Sequence, residues 1–130
     1  MIKKRARGNL SANSGAKARR KGHNFERLIR KKLLSIYPKC QTSRYESKML
    51  DDRGIDLTHT YPFAFQCKAV EKGVNPQKIL SEMIIEKGEI PLLCHKKKGH
   101  RPTITMWFDD WLENTTKLVV EKILNDYRNE

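Results

Sequence analysis

The fourteen residues from Ile55 to Lys68, Ile-Asp-Leu-Thr-His-Thr-Tyr-Pro-Phe-Ala-Phe-Gln-Cys-Lys, constrain the fold more than any other stretch of the chain. They read as a short strand, a turn at Thr60-Tyr61-Pro62 and a second strand from Phe63 onward. Alternation along the second run sets Phe63, Phe65, Cys67 and Ala69 on one face and Ala64, Gln66 and Lys68 on the other. A buried face has no packing use for an amide and an ammonium two residues apart. Asp56 is equally out of place between Ile55 and Leu57. Pairing the two strands as a hairpin would bring Asp56, Gln66 and Lys68 within side-chain reach at one sheet edge. A carboxylate, an amide oxygen and a lysine form a group suited to holding a hard divalent cation beside a phosphate. The competing expectation is a hairpin whose three polar groups merely face solvent.

With 130 residues, the chain is long enough for one domain with a real core. It has no apolar run of membrane-span length, and its start, Met1-Ile2-Lys3-Lys4-Arg5, leads into no hydrophobic stretch of the secretory kind. Cys40, Cys67 and Cys94 are odd in number and lack a CxxC pair, so they are expected to be reduced thiols of a cytoplasmic protein, two of them on strands.

The net charge of +12 is unevenly spread. Residues 1–22 hold Lys3, Lys4, Arg5, Arg7, Lys17, Arg19, Arg20 and Lys21 and no acid, which is +8 and leaves +4 for the remaining 108 residues. A localised positive segment is the footprint of a polyanionic partner, here nucleic acid, bound through phosphates without regard to base sequence. The alternative is a solvated tail that aids solubility. Residues 1–21 lack apolar periodicity and are expected to form a flexible basic arm, with residues 22–130 as the single folded domain.

Asn24 suits the N-cap of a helix running to about Tyr37 and stopped by Pro38. Phe25, Ile29, Leu33, Ile36 and Tyr37 fall in one arc as its core stripe, and Glu26 falls inside the same arc. A strand is expected around residues 40–44, then a loop through Tyr45-Glu46-Ser47-Lys48 and Asp51-Asp52-Arg53-Gly54. Asn75-Pro76 reads as an N-cap followed by proline at the first helical position, opening a helix that closes at Lys87-Gly88. Residues 90–94 read as a buried strand and residues 103–107 as its returning partner. Asp109 or Asp110 is expected to cap a short helical piece holding Trp111, with Trp107, Phe108 and Trp111 in core packing. A last helix from about Thr116 to Tyr127 is expected to bury Leu118, Val119, Ile123 and Leu124. The fold class is therefore α/β, a mixed central sheet flanked by helices.

Asp56, nine intervening residues and Gln66-x-Lys68, with a helical Glu26 upstream, resemble the catalytic core of the PD-(D/E)xK nuclease superfamily, and within it the archaeal-type Holliday junction resolvases. The similarity extends to Lys21-Gly22-His23-Asn24-Phe25-Glu26-Arg27, to Arg44, to Gly54-Ile55-Asp56 and to Gly88-Glu89-Ile90-Pro91-Leu92-Leu93, over roughly residues 20–108. Gln66 departs from the acid that most of the superfamily carries, and a Gln-x-Lys form is found in nucleases resembling the Mrr restriction enzymes. The resemblance implies a restriction-endonuclease-like fold and a metal-dependent endonuclease acting on four-way DNA junctions as a homodimer. It also implies a place on DNA in the cytoplasm, of a phage-infected host if the protein is phage-encoded.

In that reading Glu26, Asp56, Gln66 and Lys68 are the catalytic group. Asp56, the Gln66 side-chain oxygen, the Cys67 backbone carbonyl and Glu26 would hold Mg²⁺, with Mn²⁺ as a substitute. Lys68 would position or deprotonate the attacking water or stabilise transition-state charge. Arg27 and Arg44 would grip phosphates together with Ser47 and the basic residues Lys3, Lys4, Arg5, Arg7, Arg19, Arg20 and Lys21. An Mrr-like or less selective nuclease and a non-catalytic nucleic-acid-binding protein of the same fold are the alternatives, and Gln66 favours the second of these.

Overall fold

In the computed structural model the backbone of residues 2–129 and the side chains from Ser14 to Asn129 are described. The chain opens with α1 (Ile2–Leu33). Ala, Lys and Arg dominate its first two turns and beyond, and these are strong helix formers that outweigh Gly8, Gly15 and Gly22. The helix therefore does not start at Asn24, and the boundary expected between an arm and a domain at residues 21 and 22 falls inside a continuous helix. Asn24 lies mid-helix, where its Oδ1 accepts a hydrogen bond from Arg27 Nη1 at 3.2 Å. Lys17, Ala18 and Lys21 lie beside Ala69, Val70 and Glu71 at the far end of the first strand. Arg30, Lys31 and Lys32 occupy the last turn, matching the negative end of the helix dipole. The chain then turns tightly, with Tyr37 N–H donating to Leu33 O at 2.7 Å.

Residues 40–44 do not form a strand. They contribute one antiparallel bridge, Thr42 to Leu57, and then enter α2 (Ser43–Glu46), which is followed by α3 (Lys48–Asp52). Ser47, expected among the DNA contacts, caps α3 by accepting from Leu50 N–H at 3.3 Å. The sheet is small and mixed: β1 (Phe63–Val70) pairs in parallel with β2 (Ile90–Lys97), which pairs antiparallel with β3 (Thr103–Thr105). Gln66 lies in register with Leu93 and Lys68 with His95. Between β1 and β2 runs α4 (Pro76–Glu82), capped by Asn75 Oδ1, which accepts from Lys78 N–H at 3.2 Å. It ends five residues before the expected stop, and Met83 already has extended backbone.

Three layers result. On one face of the sheet Phe65, Cys67, Leu92 and Cys94 pack with Phe25 and Ile29 of α1, joined by Cys40 and Leu57. On the other, Ala64 and Leu93 pack with Leu80 and Met83 around α4, joined by Ile55. The parallel pair is thus covered on both sides, which is why β2 begins with a run of buried residues rather than an alternation. Burial pushes the Cys67 thiol well up and the Cys94 thiol to about 11, so both stay protonated and serve as packing groups.

The C-terminal segment forms one continuous helix, α5 (Phe108–Arg128), rather than a short piece and a later helix. None of its residues is buried. Leu118, Val119, Ile123 and Leu124 are exposed, and so are Trp107, Phe108 and Trp111. The expected core role for these groups does not hold.

Leu93 has no exposed surface and sits at the centre of the α4 face. Its truncation, Leu93→Ala, is expected to lower stability by about 3 kcal/mol, seen as an earlier urea midpoint with an unchanged slope.

Candidate functional site

The residues 55–58 pair with β1 through Asp56 alone. Its backbone N–H donates to Phe65 O at 2.7 Å, and its Oδ2 accepts from Cys67 N–H at 2.8 Å. The carboxylate therefore stands where the next strand of a ladder would supply a carbonyl. The N–H and C=O of one strand residue point to the same side, so the Cys67 carbonyl also faces this edge. On its other side the segment is held by Ser43 N–H to Asp56 O, 2.8 Å, and Thr58 N–H to Gln41 O, 2.9 Å.

Gly54 (φ 79°) starts the segment in the left-handed region, which suits glycine, and Gln66 Oε1 lies 3.7 Å from where a Gly54 Cβ would stand. Gln66 thus projects on the α4 side, beside Met83, and Lys68 follows from the same face of β1. Both are half-buried, and neither side chain has a hydrogen bond or ion pair among the described residues. Glu26 belongs to α1, on the opposite side of the sheet, and is buried. Asp56, in the plane between, feels both. Burial pushes its carboxyl up to about 7; the Cys67 N–H and the Lys68 ammonium pull it down, while Glu26 and Asp51 push it higher. Glu26 thus lies on one side of the sheet and Gln66 and Lys68 on the other, with Asp56 at the β1 edge between them.

Glu26 has a partner of its own. Its Oε2 accepts from Arg44 Nη2 at 2.7 Å and Nε at 3.2 Å, so the charge inside the apolar arc of α1 is compensated. Arg44 stands on α2, not on a strand. With Arg27, Arg30, Gln41, Thr42 and Tyr45 it lines a cavity of about 440 Å³. Arg30, absent from the sequence reading, anchors there by donating from Nε to Cys40 O at 2.8 Å, which leaves its Nη groups for a ligand. Its position one turn beyond Glu26 was the available signal. Arg19 and Arg20 are exposed on α1 and Lys21 is half-buried, while the side chains of Lys3, Lys4, Arg5 and Arg7 lie outside the described residues.

A second carboxylate that the sequence reading passed over is Glu46. Its Oε2 accepts from Thr58 Oγ1 at 2.6 Å and its Oε1 lies 2.8 Å from His59 Nε2. These bonds hold it below the usual carboxylate range, and they fasten α2 to the end of the 55–58 segment.

The Asp56 carboxylate, the Gln66 amide oxygen and the Cys67 carbonyl are hard oxygen donors, the class of ligand that Mg²⁺ takes. Among the described residues no three His, Cys, Asp or Glu side chains form a metal-binding cluster. No family model, curated protein or solved structure matches the chain.

A carboxyl raised from 3.8 to about 7 contributes stability at low pH that is lost as pH rises through about 7. Asp56→Asn, which keeps an acceptor for Cys67 N–H, removes that loss. The variant is expected to be the more stable protein at pH 8, by up to about 4 kcal/mol, with the gap closing toward pH 4. Thermal melts of both proteins across this range check it.

Proposed function

We propose that this protein is a metal-dependent, structure-selective DNA endonuclease of restriction-endonuclease-like fold, which cuts four-way junctions in the manner of the archaeal-type Holliday junction resolvases and works as a homodimer. One observation carries the reading: Asp56, Gln66 and Lys68, none of them neutralised by a partner side chain, meet at the β1 edge, and the Glu26–Arg44 pair links them to the three-arginine cavity.

Asp56, Gln66 Oε1 and the Cys67 carbonyl would hold Mg²⁺ or Mn²⁺, which supplies charge neutralisation at the phosphate and lowers the pKa of water. Lys68 holds its ammonium toward the phosphoryl oxygens or the attacking water. Arg27 and Arg30 grip a flanking phosphate, for which a planar guanidinium is better shaped than an ammonium. Arg19, Arg20 and Lys21 extend the positive surface along α1. The net charge of +12 supports a polyanionic partner in general. Among the described residues no helix is long and apolar enough to cross a membrane.

A non-catalytic nucleic-acid-binding protein is the second reading. It is favoured by Gln66 in place of an acid.

Labelled four-way junction, linear duplex and single strand, each offered with Mg²⁺, separate these readings. Junction cutting that drops about 100-fold or more in Lys68→Ala, with binding retained, is expected. Equal cutting of duplex points to an Mrr-like nuclease, and binding without cutting by the wild type selects the non-catalytic reading. Replacing Arg27 and Arg30 by Ala is expected to flatten the dependence of log affinity on log salt by about 0.9 per lost phosphate contact.

A further inference from the structure

Helix α5 is built inside out. Its half-buried residues are Asp110, Asn114 and Thr115, all polar. Asp110, Glu113, Asn114 and Lys117 line a crevice of about 510 Å³ against Tyr61, Pro62 and residues 88–90, so the helix turns a polar side to its own domain. The opposite side carries Phe108, Leu112, Val119 and Ile123 within an arc of about 60° at 100° per residue, flanked by Trp111, Val120 and Tyr127, every one of them 47% exposed or more. An apolar sector of this kind is a surface through which helices pack on one another. From Phe108 to Tyr127 it spans about 29 Å of helix, which is not a scatter of single surface residues.

Charge selects the occupant. From Phe108 to Thr116 the helix carries Asp109, Asp110 and Glu113 with no base, a net of −3; from Lys117 to Arg128, Lys117, Lys122 and Arg128 against Glu121 and Asp126 give +1. Two parallel copies would set −3 against −3. Two antiparallel copies set the acidic half of each along the positive half of the other, and the same operation lays stripe on stripe. The seven large apolar side chains on that side offer a surface on the order of the 800 Å² per partner used by a standard interface. We propose that α5 docks on α5 of a second copy of this chain, antiparallel and about a two-fold axis near Leu118. This inference rests on the helix and not on the nuclease reading.

The test uses the full chain. Analytical ultracentrifugation at roughly 10–50 µM, a range that spans ordinary specific association, is expected to show a dimer for the wild type. Val119→Glu with Ile123→Glu is expected to sediment as a monomer with unchanged helical circular dichroism, since both side chains are exposed in the single chain. Geometry is read by disulfide formation: Leu112→Cys chains mixed with Ile123→Cys chains should cross-link to each other, and Leu112→Cys chains alone should not. The native cysteines are buried and leave that readout clean. A monomeric wild type, a dimer that survives the double substitution, or self-cross-linking of Leu112→Cys would each overturn the proposal. Loss of dimer without loss of Lys68-dependent cutting would leave this interface standing and separate it from catalysis.

Discussion

The sheet depends on a single residue closing one of its edges. β1 is the outermost strand, with β2 on one side only, and its Phe65 carbonyl and Cys67 amide would otherwise lack partners. Asp56 satisfies both, one with its backbone and one with its carboxylate. An unpaired buried amide costs about 1–3 kcal/mol, so a carboxylate acceptor here does structural work whatever else it does. The same placement strips the carboxylate of water. The group that seals the edge is therefore held above the usual carboxylate range, at about 7.

Around that edge the layers follow from burial on two faces. Alternation along β1 sends Phe65 and Cys67 toward α1 and Ala64 toward α4. Arg53 then ties the two sides of the α4 layer together, donating from Nε to Ile84 O at 3.0 Å and pairing with Glu89 through Nη2. A glycine at position 88 is required for a local reason: φ is 88°, and a Cβ would stand 2.7 Å from the Tyr61 hydroxyl.

Much of this was legible in the chain. Period-two alternation marked β1, the apolar run marked β2, Asn75-Pro76 marked the start of α4, and the misfit of Asp56, Gln66 and Lys68 marked the edge. The start of α1 was not legible, because a segment rich in basic and small residues has no apolar period even when every residue tolerates a helix. The strand expected at residues 40–44 became a bridge and a turn of helix because its contacts are made with residues 56–58, and no local pattern encodes a partner so distant. The helix α5 misled in the opposite way. Its apolar residues were read as buried, but amphipathicity does not say which body such a face meets, and here they are exposed.

The Glu26–Arg44 pair has a further consequence. Both contacts use Arg44 Nε and Nη2, and Arg44 also lines the adjoining cavity, where an oxyanion would compete for its guanidinium. A ligand that takes them uncovers a carboxylate whose charge already disfavours ionisation of Asp56. The local surplus of negative charge then grows, and any cation nearby gains affinity. By reciprocity that cation strengthens the oxyanion's hold by the same factor. One internal ion pair would thus couple the uptake of opposite charges at the two places.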